Sequence, residues 1–331
     1  MRRQHAVVFL LVTLLALSGF TCSRKRPIRD EPESTGSDPK VTLAFAYPPG
    51  TFEAIFDQSF RGDTEVHARG KTQKVPVDQT TKYWCQMDVG QPEADGSYDC
   101  AVRFTRMQMQ TRQPQSTTID SDDAASLHGN PMAKMVGPLL KSAITVHFDK
   151  EGKPVKVGGF EALWTEIAGG SPQEREVAES MKKQFSDAAF GKMFEGARAY
   201  APPGPVGKGA VWYPKVTIPV PIVGDMSFEA KCRLTELDDT TEGQVATVAM
   251  AGVIAAGDAK PVTMGPATMN IDAMDLALDG SMRVDVKTGL VRESTFDTKG
   301  TVEMSVSAQG NTMTMEMAIE GTSKTTIRPR P

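Results

Sequence analysis

Cysteine, histidine, aspartate and methionine are the residues of this chain whose types and spacing bear on chemistry. Cys22 follows an apolar N-terminal run, where acylation of its sulfur would attach the chain to a membrane. Cys85 and Cys100 stand in YWCQMDV and YDCAVRF, two alternating segments flanking the turn-rich GQPEADGS. Setting Cys85 opposite Cys100 puts Tyr83, Met87 and Val89 on one face with Tyr98 and Val102, because strand side chains alternate with period two. That register predicts a cross-strand disulfide in an oxidising compartment. Two lone cysteines are too few for zinc. Cys232 has no evident partner and reads as a buried thiol on a strand.

The other reactive types give no catalytic site. None of the four histidines accompanies a nucleophile turn, and there is no G-x-S-x-G, H-E-x-x-H or phosphate loop. The chain therefore reads as non-enzymatic, with a hydrolase built on a spatially assembled triad as the alternative. Asp120, Asp122, Asp123 and His128 are a local set of metal-capable groups, but their spacing is not that of a calcium loop, and a solvated acidic loop is the better reading. No metal or cofactor is expected. The 18 methionines are the most suggestive set. Met107 and Met109, and Met313, Met315 and Met317, recur at strand spacing on single faces. Thioethers of that kind fill a core, line an adaptable apolar cavity, or less readily bind Cu(I). Met304, Met313, Met315 and Met317, together with Met181 and Phe185 on a predicted helix, are the candidate ligand-binding residues.

These residues must be positioned by elements that begin with an export signal. Arg2 and Arg3 precede an uncharged core from Ala6 to Leu17, the pattern of a secretory signal peptide. The core is shorter than the ~20 residues a spanning helix needs. Residues 1–21 are read as the signal and 22–40 as a charged, structureless tether. The order Gly19, Phe20, Thr21 before Cys22 departs from the usual lipoprotein pattern, so cleavage after Ser18 to give a soluble secreted protein stands as the alternative. Removing residues 1–21 takes the basic count from 37 to 35 against 41 acidic residues, a net charge of about −6. With no basic stripe interleaved with aromatics, nucleic acid is not an expected partner.

From Val41 the sequence reads as an antiparallel meander with Gly and Pro at most gaps. It runs through VTLAFAY, TFEAIFDQSF and EVHARGKTQKV into the two cysteine strands and RFTRMQMQTR. Asn130 and Pro131 open a helix, and Ile144, Val146 and Phe148 face Val155 and Val157 in a hairpin. A short helix carries Phe160, Leu163, Trp164 and Ile167, and a long one follows a capping box at Ser171 and Glu174. Residues 201–209 form a Pro/Gly joint. Strands resume from 210 to 331, ending in a hairpin where Val302, Met304 and Val306 oppose Met317, Met315 and Met313 across Gln309-Gly310. The fold class is α+β and mainly antiparallel, with two curved sheets or half-barrels, 41–200 and 210–331, around a helical middle.

This order of parts resembles a bacterial family of secreted lipoproteins known only as a domain of unknown function. The resemblance is carried by the Asn130-Pro131 helix, the Asp149-x-x-Gly152 turn, the Gly159-Phe-Glu-Ala-Leu opening and the Gly209-x-x-Trp212 strand, over residues 41–327. It implies an exported envelope protein and supplies no activity; by fold analogy, envelope lipid carriers also lay helices against curved sheets. The expected work is non-covalent: holding an apolar or amphipathic molecule, with the membrane engaged through Cys22. A scaffold that binds an unidentified protein partner without a ligand is the alternative.

Overall fold

A computed structural model describes residues 29–330, apart from 30, 69, 114, 129–132, 162–163, 166–198, 221–223, 257–260, 265–266 and 309–310. Its strands are β1 (Gly50–Ala68), β2 (Lys71–Val89), β3 (Tyr98–Gln113), β4 (Gln115–Asp120), β5 (Ala143–Phe148), β6 (Pro154–Gly158) and β7 (Val211–Trp212) in the first part of the chain. The second part adds β8 (Lys215–Val220), β9 (Gly224–Thr240), β10 (Gly243–Ala256), β11 (Val262–Met264), β12 (Ala267–Asp285), β13 (Val291–Ala308) and β14 (Asn311–Pro329). Two helices are described, α1 (Ala124–Leu127) and α2 (Ala133–Lys141).

Strict alternation explains the length of the central strands. In β1, Phe52, Ala54, Gln58, Phe60 and Thr64 are buried while Ser59, Arg61 and Asp63 are exposed. The Phe52, Phe56, Phe60 spacing, which also fits a helix, is thus one face of a strand. At 19 residues β1 spans about 63 Å, using ~3.3 Å per residue.

All fourteen strands form one antiparallel sheet in the order β6-β5-β3-β2-β1-β14-β13-β12-β10-β9-β7, with β4 on β3, β8 on β9 and β11 on β12. The mainly antiparallel β class is therefore as expected, and the two sequence halves are wings of a single sheet. They meet where β1 pairs β14 from Phe52↔Pro329 to Ala68↔Met313.

Glycines on the inner face let the sheet fold closely over its aromatic side chains. A Cβ on Gly321 would lie 2.4 Å from the Ser59 carbonyl oxygen and 2.8 Å from the Phe60 ring. One on Gly280 would lie 2.1 Å from the Thr295 oxygen and 2.5 Å from the Phe296 ring. Each glycine is paired across the ladder with that phenylalanine, an arrangement in which the ring covers the backbone that glycine leaves bare.

The N-terminal segment departs from expectation. Residues 31–40, read as part of a structureless tether, are held by partners from the other half. Glu31 pairs with Lys231 at 2.9 Å and with Arg233, and these contacts lower its pKa, Lys231 first. Ser34 bridges Val211, and the Ser37 N–H donates to the Lys208 carbonyl at 2.9 Å. The Pro/Gly joint supplies Lys208 and also Val206, which bridges Val41. VTLAFAY, expected to be a sheet strand, instead runs between distant parts of the sheet. The Ala46 N–H donates to Gly289 in the β12–β13 turn, and Tyr47 meets Phe148 of β5 at 6.2 Å. Leu43 and Phe45 are buried along that path.

The middle of the chain is described in part. α2 continues through Gly137 and Pro138 to Lys141. Its start at Asn130-Pro131 lies outside the described residues. So do Leu163, Ile167 and the long helix with Met181 and Phe185. Phe160 and Trp164 are buried and stacked at 6.2 Å. In the β5–β6 hairpin a register shift sets Pro154 opposite Phe148 and Val157 opposite Val146. Val155, expected on the inner face, is 57% exposed as a result.

Candidate ligand-binding face

One face of this sheet is uncharged over its breadth. Among the described residues, the inward positions from 52 to 66 of β1, 75 to 89 of β2, 313 to 327 of β14 and 294 to 306 of β13 hold no Asp, Glu, Lys, Arg or His. The same is true along β12, β10 and β9, from Met269 to Val284, Ala246 to Ala256 and Met226 to Leu237. Each Phe or Met buried there contributes about 1.5–3 kcal/mol relative to exposure. The opposite face carries ion pairs, including Arg61–Glu320 at 2.5 Å, Lys324–Glu293 at 2.7 Å and Lys82–Asp57 at 3.1 Å. Exposed pairs of this kind add little stability; they keep the outer face wet.

The terminal hairpin places the candidate methionines in the expected register. Met304 faces Met315, Val302 faces Met317 and Val306 faces Met313. Met304, Met315 and Met317 are buried and Met313 is half-buried. Met107 and Met109 are buried on the same face, across from Tyr83 and Thr81. Met181 and Phe185 lie outside the described residues, as does Cys22.

The disulfide expectation is corrected. Cys85, Cys100 and Cys232 are free and buried. Cys100 pairs with Val89 and Cys85 with Phe104, which separates the two cysteines by four positions along the ladder, about 13 Å. A disulfide needs Cα atoms within about 7 Å. Met87 and Val89 are buried, and β2 pairs Cys100 through Val89 at its end, four residues beyond Cys85 and on the same face. Burial pushes each of the three thiols up to about 12, so none is a thiolate nucleophile at neutral pH.

The acidic loop is a turn held by its own contacts. Asp120 accepts from Arg106 at 2.9 Å and Gln108 at 2.6 Å; the Arg106 bond is the largest influence holding its carboxyl down at about 2. Asp122 pairs with Arg106 at 3.0 Å, and Asp123 caps α1 by accepting from the Ala125 N–H at 2.9 Å. Of the histidines, His147 contacts Asp99 at 2.7 Å and His67 contacts Thr72 at 2.9 Å. These pairs belong to separate strands and assemble no common site.

Polar residues at inward positions are the feature that sequence reasoning missed. Gln58, Thr64, Gln79, Thr81, Thr111, Thr298 and Ser323 are all buried on this face. Gln79 Nε2 donates to Thr81 Oγ1 at 3.0 Å. Gln58 Oε1 and Thr64 Oγ1 have no hydrogen-bond partner. An acceptor left in that state costs about 1–3 kcal/mol. The signal was present in β1, where Gln58 falls in phase with Phe52, Phe56 and Phe60.

A family described as "Family of unknown function (DUF6263)" matches residues 95–291. No curated protein matches the chain by sequence. Among solved structures, the chain is similar to one described as lipid–protein interactions in lipovitellin, at 9% identity and a TM-score of 0.43, covering 86% of this chain and 26% of that one. The chain thus spans about a quarter of that protein's length. It is also similar to the COG4313 outer membrane channel from Pseudomonas putida F1, at 8% identity and a TM-score of 0.22, covering 86% and 98% of the two chains. A third is a DUF1329 family protein from Desulfovibrio piger, at 7% identity and a TM-score of 0.15, covering 79% and 83%. Likeness at this level carries no argument about function. Among the described residues, no helix is long and apolar enough to cross a membrane, which says nothing of a β-barrel.

Proposed function

The chain belongs to DUF6263, a family of unknown function, and we propose that it is an exported bacterial envelope protein that binds an apolar or amphipathic molecule without chemical change. The observation that carries this reading is the uncharged inner face, where Met304, Met315 and Met317 are buried together at one end of the strands and Phe60 and Phe52 are buried farther along the same face. Methionine adapts to irregular apolar shapes, and a polar outer face lets the loaded protein stay in water. Acylation of Cys22 would hold the protein at the membrane from which such a ligand comes.

The test is a titration of the full exported chain with N-phenyl-1-naphthylamine, a dye that fluoresces in apolar surroundings. A saturable, stoichiometric enhancement that weakens in Met315→Lys supports the reading. No enhancement by a folded protein overturns it in favour of a scaffold. Intact-mass measurement on native membrane fractions tests the anchor: acyl mass on a chain starting at Cys22 supports it, and an unmodified chain starting near Gly19 overturns it.

A further inference from the structure

The polar residues of the inner face specify more than apolar binding. Gln58 sits midway along β1, 4% exposed. Across the ladders it faces Thr81 on β2 and Ser323 on β14. Thr81 is engaged by Gln79 at 3.0 Å, and the Gln58 carboxamide oxygen is left without a partner. A sealed acceptor of this kind is retained at a cost to the empty protein.

We propose that Gln58 is the headgroup-recognition residue for an uncharged, hydroxyl-bearing amphiphile of the acylglycerol type, whose chains lie on the Met- and Phe-lined face. The inference rests on the apolar-binding reading above. A hydroxyl is the group that Gln58 Oε1 lacks, because it supplies a donor without a charge. An ionised phosphate is the wrong chemistry for this face. Among the described residues, no Lys, Arg or His stands at the inward positions of β1, β2, β13 and β14, so none of these positions would offset the loss of its hydration. Thr64 is an internal control: its hydroxyl oxygen is also unpartnered, but it faces Val75 and Met317, about 20 Å from Gln58 along the strand.

The test is displacement of N-phenyl-1-naphthylamine from the delipidated full exported chain by 1,2-dioleoylglycerol, trioleoylglycerol and dioleoylphosphatidylglycerol. Dioleoylglycerol is expected to displace the dye at concentrations about tenfold below the other two, which lack the hydroxyl in that position or add a charge. Gln58→Met, close in volume, should weaken dioleoylglycerol about three- to tenfold and leave trioleoylglycerol unchanged. Thr64→Val should leave the preference intact. Should Gln58→Met not fold, Gln58→Asn, which withdraws the same oxygen by one methylene, replaces it. Equal displacement by all three lipids, or a preference that survives loss of the Gln58 oxygen, overturns the headgroup proposal while dye binding preserves the apolar reading. Absence of dye binding overturns both.

Discussion

Cys100 stands across the β2–β3 ladder from Val89, four residues along β2 from Cys85. Both thiols are buried and free even though export would carry them into an oxidising compartment. A chain whose Cys22 is acylated or replaced by serine should therefore show no reaction with DTNB at pH 8, and three equivalents, from Cys85, Cys100 and Cys232, after unfolding in guanidinium with no reductant. A native chain yielding only one thiol on unfolding would establish the disulfide and contradict this register.

Burial of the same thiols sets an alkaline limit. Each is raised from 9.0 to about 12 by desolvation, and burial likewise raises Tyr47 to about 12. The folded state therefore binds protons that the unfolded state releases. Their stabilisation is present in full below pH 9 and is lost as pH rises from 9 towards 12. Denaturant midpoints should fall over that interval, and a Cys85→Ala, Cys100→Ala, Cys232→Ala variant should show a shallower fall. Equal slopes would mean that the thiols ionise freely in the folded chain.

Asp120 works with the opposite sign. Arg106 holds its carboxyl at about 2, against 3.8 for a free aspartate. Its contribution is present above about pH 4 and is lost as pH falls towards 2. Asp120→Asn should be less stable than the parent at pH 7, and the gap should close on acidification across that window. A gap that is constant with pH would mean that Arg106 gains nothing from the charge.

The terminal hairpin was legible to the residue because alternation and one short turn fix its register: Met304↔Met315 follows from Gln309-Gly310 alone. The cysteine hairpin was not, since GQPEADGS admits several registers and a four-residue shift keeps Cys85, Met87 and Val89 on the same face, so alternation does not choose between them. The closure of β1 on β14 joins residues more than 240 positions apart and has no local signature. The order of residues 31–47 was hidden for the same reason, because the partners of Glu31 and Ala46 lie at Lys231, Arg233 and Gly289. Gln58 was passed over because a glutamine in phase with Phe52, Phe56 and Phe60 gains its meaning only once its neighbours are known to be sealed.

Gly321 tests how closely the wings must meet. Its missing side chain leaves room for the Ser59 carbonyl and the Phe60 ring, at the seam where β1 pairs β14. Gly321→Val should destabilise by more than about 3 kcal/mol, because the nearest atom is backbone and has no rotamer in which to retreat. Thr322→Val, one residue on and on the outer face, should change stability by less than about 1 kcal/mol. Equal midpoints for the two variants in urea would show that the seam tolerates a side chain at position 321.

Met304 and Met315 are both buried and directly opposed, so truncating either removes contacts from the other. Met304→Ala and Met315→Ala should each cost about 2–4 kcal/mol, and the double variant should cost less than their sum, because the second truncation enlarges a void already made. A ligand seated on this face changes the comparison. With N-phenyl-1-naphthylamine bound, the void has an occupant, and the loss in midpoint for Met315→Ala should shrink relative to the dye-free protein. If the dye raises the midpoints of parent and variant by equal amounts, the dye lies elsewhere and these methionines are core alone.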